Sequence, residues 1–104
     1  MEDIKFLLNQ VKQATDYQIN KKNLREKILI DLHIPYNNGL FLLSKELIAF
    51  VATWHEEELF LEDVYLNPIL VNRTEFLTLC RQHYHSIMND WYIKHNEIKS
   101  IRSI

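Results

Sequence analysis

A single cysteine, Cys80, excludes an internal disulfide and points to a chain that works in a reducing compartment. One glycine and two prolines leave few places for tight turns, which disfavours a many-stranded sandwich and favours long helices. The lone glycine also excludes a P-loop, a glycine-rich dinucleotide turn and a GxSxG elbow, because each needs at least two. No apolar run approaches the roughly 20 residues that span a bilayer, so no membrane segment is expected. The opening Met1-Glu2-Asp3-Ile4-Lys5 lacks the basic and apolar regions of a signal peptide, so the Asn72-Arg73-Thr74 sequon is expected to stay unused.

What is present fits a globular chain. Apolar residues make up 47% and charged residues 25%, a balance well away from that of disorder, and 104 residues suit one domain spanning 1–104. A net charge of −2 gives no overall field toward nucleic acid. The charge is unevenly placed, however. Seven acids against Lys45 and Arg73 give residues 44–75 a net of −5, whereas residues 1–43 sum to +1 and 76–104 to +2.

Ile4, Leu7, Leu8 and Val11 fall at helical spacing, and Leu24 and Ile28 resume it after a polar stretch, so a helix is predicted from about Asp3, with a possible break near Asn20. From Ile30 the period becomes two, with Ile30, Leu32 and Ile34 alternating with polar residues until Pro35, which predicts a strand. Asn38-Gly39 supplies the positive φ angles of a type I′ turn, and Leu40–Leu43 returns as the second strand of a hairpin. Ser44 then suits an N-cap, with Glu46 in the first turn of a short helix ending near Trp54. Leu59–Val64 and Ile69–Val71, separated by a loop at Tyr65–Pro68, predict a second hairpin.

Asn72 is placed to cap the last helix, with Glu75 reaching back as in a capping box. From there Leu77, Cys80, Tyr84, Ile87, Trp91, Lys94, Ile98 and Ile101 alternate at three and four residues, uninterrupted to about Arg102. The expected fold is therefore α+β and mainly helical. Long N- and C-terminal helices accompany a short middle helix and two small β-hairpins. A final helix about 45 Å long exceeds the ~33 Å diameter of a compact domain of this size, so its far end should overhang. That end, from Trp91 on, must bury Trp91, Ile98 and Ile101 against the N-terminal helix or another chain; Tyr84, Trp91, Tyr92, His95, Ile98 and Ile101 are the residues expected to bind a protein partner or a second copy.

Catalytic chemistry is not expected. Cys80 and His83 share a helix face, but His83 and His85 point apart, and no further pair completes a zinc site. Glu56, Glu57, Glu58, Glu62 and Asp63, beside His55, lack EF-hand spacing and form an acidic patch suited to a basic partner. Lys21, Lys22, Arg25 and Lys27, near Tyr17, are the one cluster able to contact phosphate, which keeps a nucleic-acid-associated accessory role as the alternative function. No cofactor and no metal are expected.

Asp31-Leu32-His33-Ile34-Pro35-Tyr36-Asn37-Asn38-Gly39-Leu40-Phe41, then Leu61-Glu62-Asp63-Val64-Tyr65-Leu66-Asn67-Pro68-Ile69, then a helix ending Lys99-Ser100-Ile101-Arg102, resembles small conserved proteins of T-even-like tailed phages, especially marine ones. The resemblance spans roughly residues 31–102 and implies a role in assembly or host takeover. It carries no catalytic residues. The expected function is thus non-enzymatic and exerted through protein–protein contacts, as a virion component, an assembly factor or a modifier of a host complex. The expected location is the cytoplasm of an infected bacterial cell, or the virion.

Overall fold

The computed structural model describes the backbone of residues 2–102 and the side chains of residues 3–100. Its elements run α1 (Glu2–Asp31), β1 (His33–Tyr36), β2 (Gly39–Leu42), α2 (Lys45–Thr53), β3 (Glu58–Glu62), β4 (Pro68–Asn72) and α3 (Arg73–Arg102). The class is α+β and mainly helical, with two long terminal helices, a short middle helix and two antiparallel hairpins.

α1 passes through Asn20 without a break. Its buried side is short: Leu24, Ile28 and the following Leu32 enter the core, while the polar stretch before them faces water. The helix also runs past Ile30, where a strand was expected to begin. Two histidines explain the extension. His33 Nδ1 donates to Leu29 O at 2.9 Å, and His83 Nε2, from α3, donates to Asp31 O at 2.7 Å, so the terminal carbonyls are satisfied by side chains a sequence pattern does not reveal.

β1 and β2 pair with Ile34 opposite Phe41 and Tyr36 opposite Gly39. The two-residue turn is Asn37-Asn38, with φ of 47° and 68°, one residue earlier than the Asn-Gly pair expected from sequence. Gly39 is the first strand residue, and its φ is not positive. Glycine is required there for space, since a Cβ would sit 2.7 Å from Ile69 Cγ1 and 2.9 Å from its Cδ1. Ile69 is itself buried and has little room to move. Gly39→Ala should therefore cost about 1–3 kcal/mol by overpacking, read as a lower urea midpoint at unchanged slope.

α2 starts as expected, with Ser44 Oγ accepting from Leu47 N at 3.0 Å. Its other end is closed from a distance: Arg73 donates through Nε to Val51 O (3.1 Å) and through Nη2 to Ala52 O (2.9 Å). β3 and β4 pair with Leu59 opposite Val71 and Leu61 opposite Ile69, so these four side chains point inward and Phe60 and Leu70 outward. α3 is capped by Asn72, whose Oδ1 accepts from Glu75 N at 3.0 Å. The reciprocal half of the expected capping box is replaced, because Asn72 N donates to the Tyr36 hydroxyl at 3.3 Å.

Phe76 and Val71, both fully buried, centre the core with Phe41, Leu43, Val51 and Cys80. The Phe76 ring meets the Tyr36 and Phe41 rings edge-on, each at 5.0 Å. The two hairpins, α2 and the start of α3 thus make a compact head. From it α1 and α3 project side by side and antiparallel, giving extents of 69 × 23 × 18 Å and a radius of gyration of 19.8 Å. A compact chain of this length would have a radius near 13 Å, so the molecule is a rod with a head.

Candidate interaction surface

The rod has two ends. At the helical end, α3 lies along α1: Asp31 is opposite His83, and Lys27 faces Asp90 and Lys94. About ten residues of α3 are spent inside the head before His83, so two helices of equal length do not finish level. Every residue from Asp3 to Asp16 is exposed, and Tyr17 is the first to be partly covered. About 14 residues of α1, roughly 20 Å, therefore project beyond the packed pair. Ile4, Phe6, Leu7, Leu8 and Val11 on this projection are each close to 60% exposed. The expected overhang of α3 beyond the head is present, with α1 lying along it, and α1 projects further still.

Of the residues proposed from sequence as partner-binding, the structure places Tyr84, His95 and Ile98 half-buried against the α1–α3 pair. Trp91 lies at the margin, its ring stacked on that of His95 at 5.7 Å, and Tyr92 is well exposed beside Ile93. The Ile101 side chain lies outside the described residues. His95 Nδ1 is buried and has no hydrogen-bond partner.

The head supplies the other end. The acidic set divides here. Asp63 is a correction to the expected surface patch: it is buried, and its carboxylate accepts from Leu40 N (3.1 Å), Tyr65 N (3.0 Å) and Asn67 N (2.9 Å). Those backbone hydrogen bonds, Asn67's first, hold it below the ordinary carboxylate range despite burial. Glu57 is also engaged, accepting from Thr74 N at the start of α3 (3.0 Å), and hydrogen bonding from the Thr74 side chain and then its backbone holds the Glu57 carboxyl below the usual value. Glu56, Glu58 and Glu62 remain exposed. Glu56 and Glu58 border an open groove of about 370 Å³ with Trp54, Phe60 and Leu70.

Asp63 also shapes the β3–β4 loop. With Asp63 N donating to Asn67 O and Leu66 N to Asp63 O, the loop closes tightly and holds Leu66 at φ 64°, a left-handed conformation that costs a leucine about 1–2 kcal/mol. The loop presents Tyr65 and Leu66 to solvent at 70% and 75% exposure. The loop at Tyr65–Pro68 is legible in the sequence, but its strain is not, because the strain depends on the fixed carboxylate.

All four members of the basic cluster are exposed on α1. Lys21 lies over the Tyr17 ring at 5.9 Å, and Lys27 turns to the α1–α3 seam, where the Lys94 ammonium lowers its proton affinity. Lys22 and Arg25 are exposed. Lys94 pairs with Asp90 at 3.0 Å. Cys80 is buried, and burial pushes its thiol up to about 12, so it is not a ready nucleophile at neutral pH. Among the described residues, no group of three His, Cys, Asp or Glu side chains is placed to hold a metal ion, and no helix is long and apolar enough to cross a membrane. No protein-family model, curated protein or solved structure matches this chain.

Proposed function

We propose that the chain is a non-enzymatic phage-type protein that acts through protein–protein contacts, as a virion component, an assembly factor or a modifier of a host complex. The observation that carries this reading is the β3–β4 tip, where Asp63 holds Leu66 in a strained conformation and Tyr65 and Leu66 stand clear of the head. The flanking Glu62 suits a partner surface with an apolar pocket and a basic rim. The phage-like stretches of residues 31–102, which include this tip, support the assembly or host-directed setting.

Leu66→Gly tests the reading without confusing binding with folding. Glycine accepts the left-handed conformation, so the variant should be more stable than wild type by about 0.5–1 kcal/mol in urea unfolding. It should nevertheless lose, together with Tyr65→Ala, the proteins that wild type captures from its native lysate, quantified by mass spectrometry. Capture unchanged in both variants would remove the tip from the function.

A further inference from the structure

We infer that the free edge of β3 takes an added strand: an extended segment of a partner protein that carries Lys or Arg at alternate positions on either side of an apolar residue. This rests on the reading that the protein works by protein contact, and adds an edge to the tip of the same hairpin.

The pairing of β3 with β4 fixes which backbone groups are left over. Opposite residues of an antiparallel pair alternate between those that exchange both hydrogen bonds and those whose N–H and C=O point away from the neighbouring strand. Arg73 N donates to Glu57 O (2.7 Å) and Asp63 N to Asn67 O (3.0 Å), which sets the odd-numbered residues of β3 as the bonded ones. β4 agrees, because Asn72 N donates away to the Tyr36 hydroxyl and Leu70 O accepts from Asn37 Nδ2 at 2.8 Å. Glu58 and Phe60, which stand opposite Asn72 and Leu70, and Glu62 therefore turn their N–H and C=O outward from the far side of the hairpin. Tyr36 and Asn37 close the β4 edge, whereas among the described residues no strand other than β4 pairs with β3. The open edge ends at Glu62, beyond which Asp63 and Val64 bond to Leu40. A row of unpaired backbone groups is complementary to one class of ligand, an extended chain.

The side chains select which chain. Glu58, Phe60 and Glu62 share the outward face, and an added strand sets its own alternate residues about 5 Å from them. Phe60 is the apolar centre, and with Leu70 opposite and Trp54 nearby it walls the open groove of about 370 Å³. Glu58 and Glu62 flank it, both exposed. Across the ladder they meet only Asn72 and Pro68, and among the described residues no cation pairs with either. A segment reading basic, apolar, basic at alternate positions answers all three. A second copy of this chain does not, because centring Phe60 on Phe60 in an antiparallel β3–β3 pair sets Glu58 against Glu62 at both ends. The carboxylates that recruit a basic strand thus also keep this edge from pairing with itself.

The test titrates the end-blocked peptide Thr-Lys-Thr-Val-Thr-Lys-Thr into the isotope-labelled full chain, followed by amide chemical shifts and hydrogen exchange. Saturable shifts and slowed exchange are expected at Glu58, Phe60 and Glu62. N-methylation of the valine, whose N–H faces the Phe60 carbonyl, should weaken binding about tenfold or more, while N-methylation of the threonine before it, whose N–H points away, should leave binding close to that of the unmodified peptide. Glu58→Lys combined with Glu62→Lys, at two exposed positions, should keep the wild-type melting temperature, lose this peptide about tenfold and gain the peptide with glutamates in place of its lysines. No saturation at about 1 mM would overturn the inference, and so would binding indifferent to the site of N-methylation, which would reduce the edge to a patch of charge. Absent peptide binding beside lysate partners still lost on Leu66→Gly would overturn strand addition alone and leave the contact function of the tip standing.

Discussion

Phe76→Ala is expected to destabilise the chain by about 3–5 kcal/mol, a large share of the stability of a domain this size. Phe76 is fully buried in the first turn of α3, and its ring is the one surface against which both Tyr36 of β1 and Phe41 of β2 pack edge-on. Truncation removes the transfer term of a whole ring, leaves a cavity between hairpin and helix, and abolishes two aromatic contacts worth about 0.5–1.5 kcal/mol each. Phe76→Leu fills most of the volume and should cost less than half as much. Urea unfolding followed by far-ultraviolet circular dichroism reads both. Equal losses for the two variants would mean that filling the volume contributes nothing and the edge-on ring contacts carry the whole effect.

Asp63→Ala is expected to lower the melting temperature by about 10 °C or more. Three backbone N–H groups from two different segments converge on this carboxylate, and none has another partner within its own turn once it is removed. The loss reaches beyond the loop, because Leu40 belongs to β2 and the bond from its N–H, with Val64 N donating back to Leu40 O at 2.9 Å, joins the two hairpins. The pH dependence follows from the sign of the shift. The folded carboxyl holds its proton less tightly than the unfolded one, so its contribution is complete above the ordinary aspartate value near pH 4. It is lost as pH falls through the lower folded value. Glu57 acts in the same direction. Wild type should therefore lose stability as pH falls below about 4, and Asp63→Asn, weaker at neutral pH, should show a shallower acid limb. Parallel acid limbs in the two proteins would show that Asp63 does not carry the effect.

Much of the fold could be read from residue order. Asn72 ahead of a long three-four alternation without glycine or proline marks α3 from Arg73 to Arg102, and Ser44 marks α2 in the same way. Asn67-Pro68 separates β3 from β4. The differences all have tertiary causes. The turn at Asn37-Asn38 precedes the expected pair because Gly39 is needed beneath Ile69, a neighbour 30 positions away. α1 outlasts its helical pattern because His83 reaches it from α3. Asp63 looked like one more member of an acidic run, since nothing local distinguishes a solvated carboxylate from one that gathers three amides. The overhang of α3 past the head is legible from its length, but the further projection of α1 is not, because the offset of the two helices is set by how much of α3 is used inside the head.

The β3–β4 tip as a contact site is tested most directly by capture from the native lysate with wild type, Leu66→Gly and Tyr65→Ala, quantified by mass spectrometry. Wild type should retain proteins that both variants lose, while Leu66→Gly unfolds at no lower urea concentration than wild type. Capture unchanged in both variants would contradict the account.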